Sequence, residues 1–145
     1  MWEQVLKKEI GQGRQPELAL HRSELQFRRL LEKLPAGAYT CDPEGLITYF
    51  NPHAVQLWGR APKLNDPVDR FCGSFKLFST NGSPIAHDRC WMALALQRDK
   101  EFNGHEIVIE RPDGQRLTVL AHANPIHDES GKLLGAVNVR QRRTE

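Results

Sequence analysis

One piece of local grammar recurs along this sequence and restricts what the chain can fold into. Asp42-Pro-Glu-Gly45 stands between Tyr39-Thr-Cys41 and the alternating run Leu46-Ile-Thr-Tyr-Phe50. Arg111-Pro-Asp-Gly114 separates Glu106-Ile-Val-Ile-Glu110 from Leu117 to Ile126, and His127-Asp-Glu-Ser-Gly131 leads into Lys132 to Val139. Proline presets φ, and glycine accepts a positive φ without a side-chain clash, so each is a tight turn joining two strands. The pattern predicts an antiparallel sheet with strands near 37–42, 46–50, 103–111, 115–126 and 132–141.

The segments between and before these strands read as helix and loop. Asn51-Pro52 opens an apolar helical pattern at Ala54, Val55 and Trp58; asparagine caps free amides, and proline loses nothing at the first helical position. Between Gly59 and Pro84 the pattern is irregular and predicts short helices and loops. From Asp88 to Asp99 a short, mostly buried helix is expected, capped by Asp88. Near the N-terminus Trp2, Val5, Leu6 and Ile10 follow helical spacing until Gly11, Gly13 and Pro16 interrupt it, which sets residues 1–19 apart as an extension. From Glu17 to Leu34 the positions Leu20, Phe27, Leu30, Leu31 and Leu34 form one apolar stripe, closed by Pro35.

Two strands, a run of helices and three strands in meander order resemble the Per-Arnt-Sim (PAS) sensor domain, from about Leu20 to the last residue. The resemblance is carried by Ser23-Glu-Leu-Gln-Phe-Arg-Arg-Leu-Leu-Glu-Lys-Leu-Pro35, by the Asp-Pro-Glu-Gly hairpin with Tyr49-Phe-Asn-Pro52, and by Gly82-Ser-Pro-Ile-Ala-His-Asp-Arg-Cys-Trp-Met-Ala-Leu-Ala-Leu96. Glu110-Arg-Pro-Asp-Gly114, Asn124-Pro-Ile126 and Gly135-Ala-Val-Asn-Val139 continue the ordered set. It implies an α+β fold with a PAS-like five-stranded antiparallel sheet, helices on one face and an N-terminal flanking helix. The closest wording is that of PAS domains preceding bacterial sensor histidine kinases in two-component signal transduction. The last strand departs from the family, reading Gln141-Arg-Arg-Thr144 where relatives carry Asp-Ile-Thr.

Composition fits one domain. With 145 residues and a formal net charge of +2, the chain has no field that implies nucleic acid, and no apolar run reaches the roughly 20 residues of a membrane span. A cytoplasmic location is expected. The local excess Arg140, Arg142 and Arg143 reads as a solvated strand end. Cys41, Cys72 and Cys90 form no Cys-x-x-Cys pair, so reduced, buried thiols are expected. Six histidines make no His-x-x-x-His pair, which speaks against a metal site, and His87 reads as a hydrogen-bonding residue of a capping turn. The resemblance would place a haem ligand inside the following helix, and a flavin-reactive cysteine in an Asn-Cys-Arg setting that Cys72-Gly73-Ser74-Phe75 lacks. Neither haem nor flavin is therefore expected. No nucleophile elbow or phosphate loop is present, so any kinase or cyclase activity would lie outside this chain.

Strand alternation places Ile107, Ile109, Val119, Ala121, Ala123, Val137 and Val139 on the helix-facing side, with Thr118, Leu120, His122, Asn138 and Arg140 opposite. A ligand pocket among Tyr39, Met92, Leu96, Ile107, Val119, Ala121 and Val137 and a fully packed core both satisfy this pattern. The expected function is a non-catalytic sensor that binds a small ligand or a partner and signals to an output domain through its terminal helices. A ligand-free PAS dimerisation or docking module is the alternative, and a small α+β enzyme stands third. The stripe at Leu20, Phe27, Leu31 and Leu34 suits a homodimer contact, or equally packing within one subunit.

Overall fold

The computed structural model describes residues 16–143; the extension expected around Trp2 to Ile10 lies outside them. The described chain divides into a helix, α1 (Pro16–Lys33), and a unit beginning at Pro35. The second unit contains β1 (Gly37–Cys41), β2 (Ile47–Phe50), α2 (Pro52–Trp58), β3 (Lys76–Phe78) and β4 (Pro84–Ile85). After a 3-10 turn at His87–Arg89 come α3 (Trp91–Arg98), β5 (Phe102–Glu110), β6 (Arg116–His127) and β7 (Leu133–Arg142). The sheet is antiparallel throughout, in the order β2-β1-β7-β6-β5-β3-β4.

Seven strands replace the five expected. The two additional ones form a hairpin at the sheet edge, where Leu77 pairs with Ile85 and with Ile109 of β5. With three and two residues they are too short to display alternation, and Pro84 is tolerated because β4 is an edge strand. Their turn, Ser79-Thr-Asn-Gly82-Ser83, nevertheless uses the grammar of the others. In all four turns the first residue donates its N–H to the carbonyl four positions on, and a glycine in the left-handed region donates back to the first residue's carbonyl. A side-chain oxygen closes each loop: Asp42, Asp113 and Asp128 accept from backbone amides, and Ser79 accepts from the Ser83 amide. These are three-residue hairpins of the type I plus bulge form.

Asn51 caps α2 as its position predicts. Its Oδ1 accepts from the Ala54 and Ala38 amides, each at 2.9 Å, and its Nδ2 donates to the Ala36 carbonyl. One buried side chain thus fixes the helix start to β1. The next helix starts differently from expectation. Asp88 belongs to the 3-10 turn, and Cys90 precedes α3 without a side-chain cap. Trp91, at the first position of α3, donates its indole N–H to the Glu106 carbonyl and stacks on His105 with 4.2 Å between ring centres.

α2 packs on β1, and α3 packs on β6 and β7, so the core lies between them and one face of the sheet. Trp58 is fully buried there, in edge contact with the rings of Tyr39 and Phe50. Gly73 lets the loop approach it: a Cβ at Gly73 would lie 2.6 Å from the Trp58 ring. On β5 and β6 the alternation is as expected, with Ile107, Ile109, Val119, Ala121 and Ala123 all inward. On β7 it is reversed. Ala121 pairs with Arg140 and Ala123 with Asn138, so Arg140, Asn138 and Ala136 share the inner face, while Val137 and Val139 are half-buried on the outer one. Directly paired residues share a face, so the register overrides the apolar appeal of the two valines.

Candidate ligand site

The inward turn of β7 puts a charged side chain where the pattern calls for an apolar one. Arg140 is only 1% exposed, although a solvated strand end was expected there. Its Nη2 donates to the Tyr39 hydroxyl at 3.2 Å, its Nη1 to Cys72 Sγ at 3.1 Å, and its Nε has no partner. Asn138, fully buried beside it, donates from Nδ2 to the same hydroxyl at 3.3 Å, while its Oδ1 is unpartnered. The Tyr39 hydroxyl donates in turn to the Phe71 carbonyl at 2.7 Å. Three strand residues and two loop residues therefore form a single buried polar cluster.

The loop that completes it is held in an unusual conformation. Phe71 has φ of 68°, a left-handed value costly for a bulky residue, and the Cys72 amide reaches back to the Arg70 carbonyl at 2.7 Å. That tight turn aims the Phe71 carbonyl at Tyr39 and the Cys72 thiol at Arg140. Burial pushes the Tyr39 phenol well up, against the pull of Arg140. Burial likewise pushes Cys41 up, and it pushes Cys90 up to about 12, with neighbouring thiols adding to both shifts. For Arg140 burial acts downward, but the Cys72 sulfur and the Tyr39 oxygen beside it favour the cation and outweigh that effect, so the guanidinium stays charged.

The outer side of the same loop lines an open cleft of about 470 Å³, whose walls include Phe71, Cys72, Ser74, Arg60, Arg70 and His87. Cys72 reaches both sides, since its Sγ also lies 3.0 Å from Ser74 Oγ. His87 makes a 2.7 Å hydrogen bond through Nε2 to the Ser74 carbonyl, the structural part its position suggests. Arg60 donates to the Gly73 carbonyl and forms an ion pair with Asp69, which pins the loop from outside. Among the described residues, no cluster of three histidine, cysteine or acidic side chains is gathered to hold a metal, and no helix is long and apolar enough to cross a membrane.

Comparison with known proteins agrees with this architecture. The sequence profile described as "PAS domain" matches residues 35–140, most of the chain. The chain belongs to the PAS domain family. A PAS domain of a protein from Colwellia psychrerythraea superimposes with a TM-score of 0.59 at 18% identity, covering 83% of this chain and 97% of that one. A light-oxygen-voltage domain studied with a flavin analogue gives 0.59 at 15% identity, covering 83% and 86%. The LOV domain of the Erythrobacter litoralis EL346 blue-light activated histidine kinase gives 0.55 at 18%, covering 78% and 100%. No protein of curated function matches the sequence. As a PAS domain the chain is a sensory module and not an enzyme.

These neighbours correct the expectation of no cofactor. Light-oxygen-voltage domains share the fold, so the want of an Asn-Cys-Arg motif does not remove flavin from consideration. Of the pocket residues inferred from sequence, Tyr39, Met92, Leu96, Ile107 and Val119 lie together in the PAS core, and Ala121 is fully buried on the same face. Val137 does not join them, because it pairs with Thr40 and Asn124 on the outer face. Leu20, Phe27 and Leu31 lie along α1, and Leu34 follows it. Sequence reasoning missed Arg140, Asn138 and Cys72. Counting back from the Asp128–Lys132 turn in unbroken register would put Val137 and Val139 opposite the small residues Ala123 and Ala121; the register shift between Ile126 and His127 moves the pairing by one residue and brings Asn138 and Arg140 there instead.

Proposed function

We propose that this PAS domain is a cytosolic sensor that takes a small molecule into the interior of its sheet and passes the signal to an output domain through its terminal elements. The buried cluster of Tyr39, Asn138 and Arg140 carries the reading. It leaves one donor and one acceptor unsatisfied beside an apolar core cluster, and such groups are costly unless something pairs with them. Met92, Leu96, Ile107, Val119 and Ala121 would form the apolar walls around that polar end. The donor set also fits the imide edge of a flavin, where an N–H stands beside carbonyls: Asn138 Oδ1 would accept and Arg140 would donate. A flavin held there would supply light absorption.

Purified protein is tested by its visible absorption spectrum and by mass spectrometry of whatever denaturation releases. A retained organic molecule, lost in Tyr39→Phe and Arg140→Met, is the expected result. A spectrum without a chromophore, no released molecule and no thermal shift with any small molecule would instead support a docking module whose interior is filled by its own side chains, for which the close Tyr39–Trp58 contact speaks.

For output we propose a homodimer through the helix carrying Leu20, Phe27, Leu31 and Leu34, aided by Thr118 and Leu120 of the outer face. The apolar residues Leu30 and Leu34 are 63% and 39% exposed, surface that a symmetric pairing covers. Phe27→Glu should shift sedimentation from dimer to monomer with the circular dichroism of the sheet unchanged. A monomeric wild type at high micromolar concentration removes this route.

A further inference from the structure

We propose that the sensed molecule is a small organic carboxylate with an O–H or N–H donor beside the carboxyl, and that Arg140 is its charge partner. This rests on the sensory reading above and names its ligand class. Arg140 is a permanent cation, 1% exposed, and none of the ion pairs among the described residues includes it. Its present acceptors are a neutral hydroxyl and a sulfur, and its Nε has none. A guanidinium cannot shed its proton to escape burial, as a lysine can, so the missing element is a negative charge. Carboxylate is the group whose two oxygens match two parallel guanidinium donors.

The second half of the specification comes from Asn138. Its Oδ1 is a buried acceptor with no partner, and a bare carboxylate, having no hydrogen to give, leaves it so. A hydroxyl or amino group next to the carboxyl satisfies it while the carboxylate takes Arg140. Once both side chains turn to the ligand, the Tyr39 oxygen that now receives from them is released as an acceptor, while its O–H stays on the Phe71 carbonyl.

The cleft at the Phe71–Cys72 turn provides the entry. Cys72 lines it and at the same time occupies Arg140 Nη1, so rotation of that one side chain opens the guanidinium to the cleft. The left-handed Phe71 stores backbone strain in this turn. Arg60 and Arg70 around the mouth favour an anion, although Asp69, held by Arg60, and Asp88 oppose them.

The test is thermal unfolding of the whole chain with lactate, malate, glycine and glutamate, each beside its uncharged amide. At least one acid should raise Tm by about 5–10 °C at saturation, while its amide should not. Arg140→Met should stay folded and lose the shift, and Arg140→Lys should keep part of it. Equal shifts with acid and amide, or a shift retained in Arg140→Met, would sink the carboxylate while leaving a sensor that binds something else. So would a retained flavin, or a thiolate absorption band lost in Cys72→Ser, which would make Cys72 the countercharge. No shift with any acid also overturns the proposal; the sensory reading itself falls only if, in addition, nothing is released on denaturation and no other small molecule binds.

Discussion

The inner face of this sheet has two halves that obey different rules. On β5 and β6 it presents Ile107, Ile109, Leu117 and Val119, closed by Met92 and Leu96, all buried and all apolar. On β1 and β7 it presents Tyr39, Asn138 and Arg140, with Cys72 brought in by a strained turn, equally buried but polar. Burial is the same in both halves. What differs is whether the buried groups satisfy one another, and that difference separates the part of the molecule that holds the fold from the part that has chemistry left over.

The two halves should respond differently to truncation. Ile107→Ala should cost about 2–5 kcal/mol, the usual range for a cavity left in a close-packed core, and the midpoint of urea unfolding should fall with little change in slope. An effect well under 1 kcal/mol would mean that the apolar half is loosely packed, and the contrast would fail there first.

In the polar half the outcome depends on what is removed. Arg140→Met substitutes a side chain of similar length without charge, and in ligand-free protein it should leave stability unchanged or raise it by about 1–4 kcal/mol, as replacing a buried ion by an apolar group often does. Tyr39→Phe takes away the acceptor of both Arg140 and Asn138 and the donor to Phe71, so it should lower stability by about 1–3 kcal/mol. If Arg140→Met proved strongly destabilising, the guanidinium would be a satisfied structural element and the halves would not differ in kind.

The same division explains what the sequence disclosed. Three of the four hairpins were legible because Pro, Asp and Gly act locally, and Asn51-Pro52 marked the start of α2 for the same reason. The fourth hairpin had its turn signal in Asn81-Gly82, but its strands are too short for alternation to register. Of the site, the apolar walls were legible, since Met92, Ile107 and Val119 follow helix and strand periods. Arg140 and Asn138 were not, because Val137 and Val139 mimic a core face on the adjacent positions. Gly135, with φ of 145° and a Cβ position only 2.1 Å from the Cys41 carbonyl oxygen, adjoins the register shift on β6 that decides which residues turn inward. A pairing between strands decided the face, and composition along one strand does not record it.

The smallest effect should come from the rim, where the loop carrying Cys72 is pinned from outside. Asp69 accepts from Arg60 and from the Lys63 amide, and although partial burial acts against the charge, these donors hold its carboxyl below the usual range. A carboxyl lowered in the folded state contributes stability above its unfolded pKa, near 3.9, and that contribution disappears as pH falls through the lower folded value. Asp69→Asn should therefore cost under about 1 kcal/mol at neutral pH, as partly exposed pairs do, and the difference from wild type should vanish in acid. Because Arg60 also holds the Gly73 carbonyl, the variant should quicken modification of Cys72 by a thiol reagent while leaving buried Cys41, on the β1 strand, as slow as before. Equal acceleration at both cysteines would show global loosening instead of a freed loop, and the rim would then belong with the apolar half as plain support for the fold.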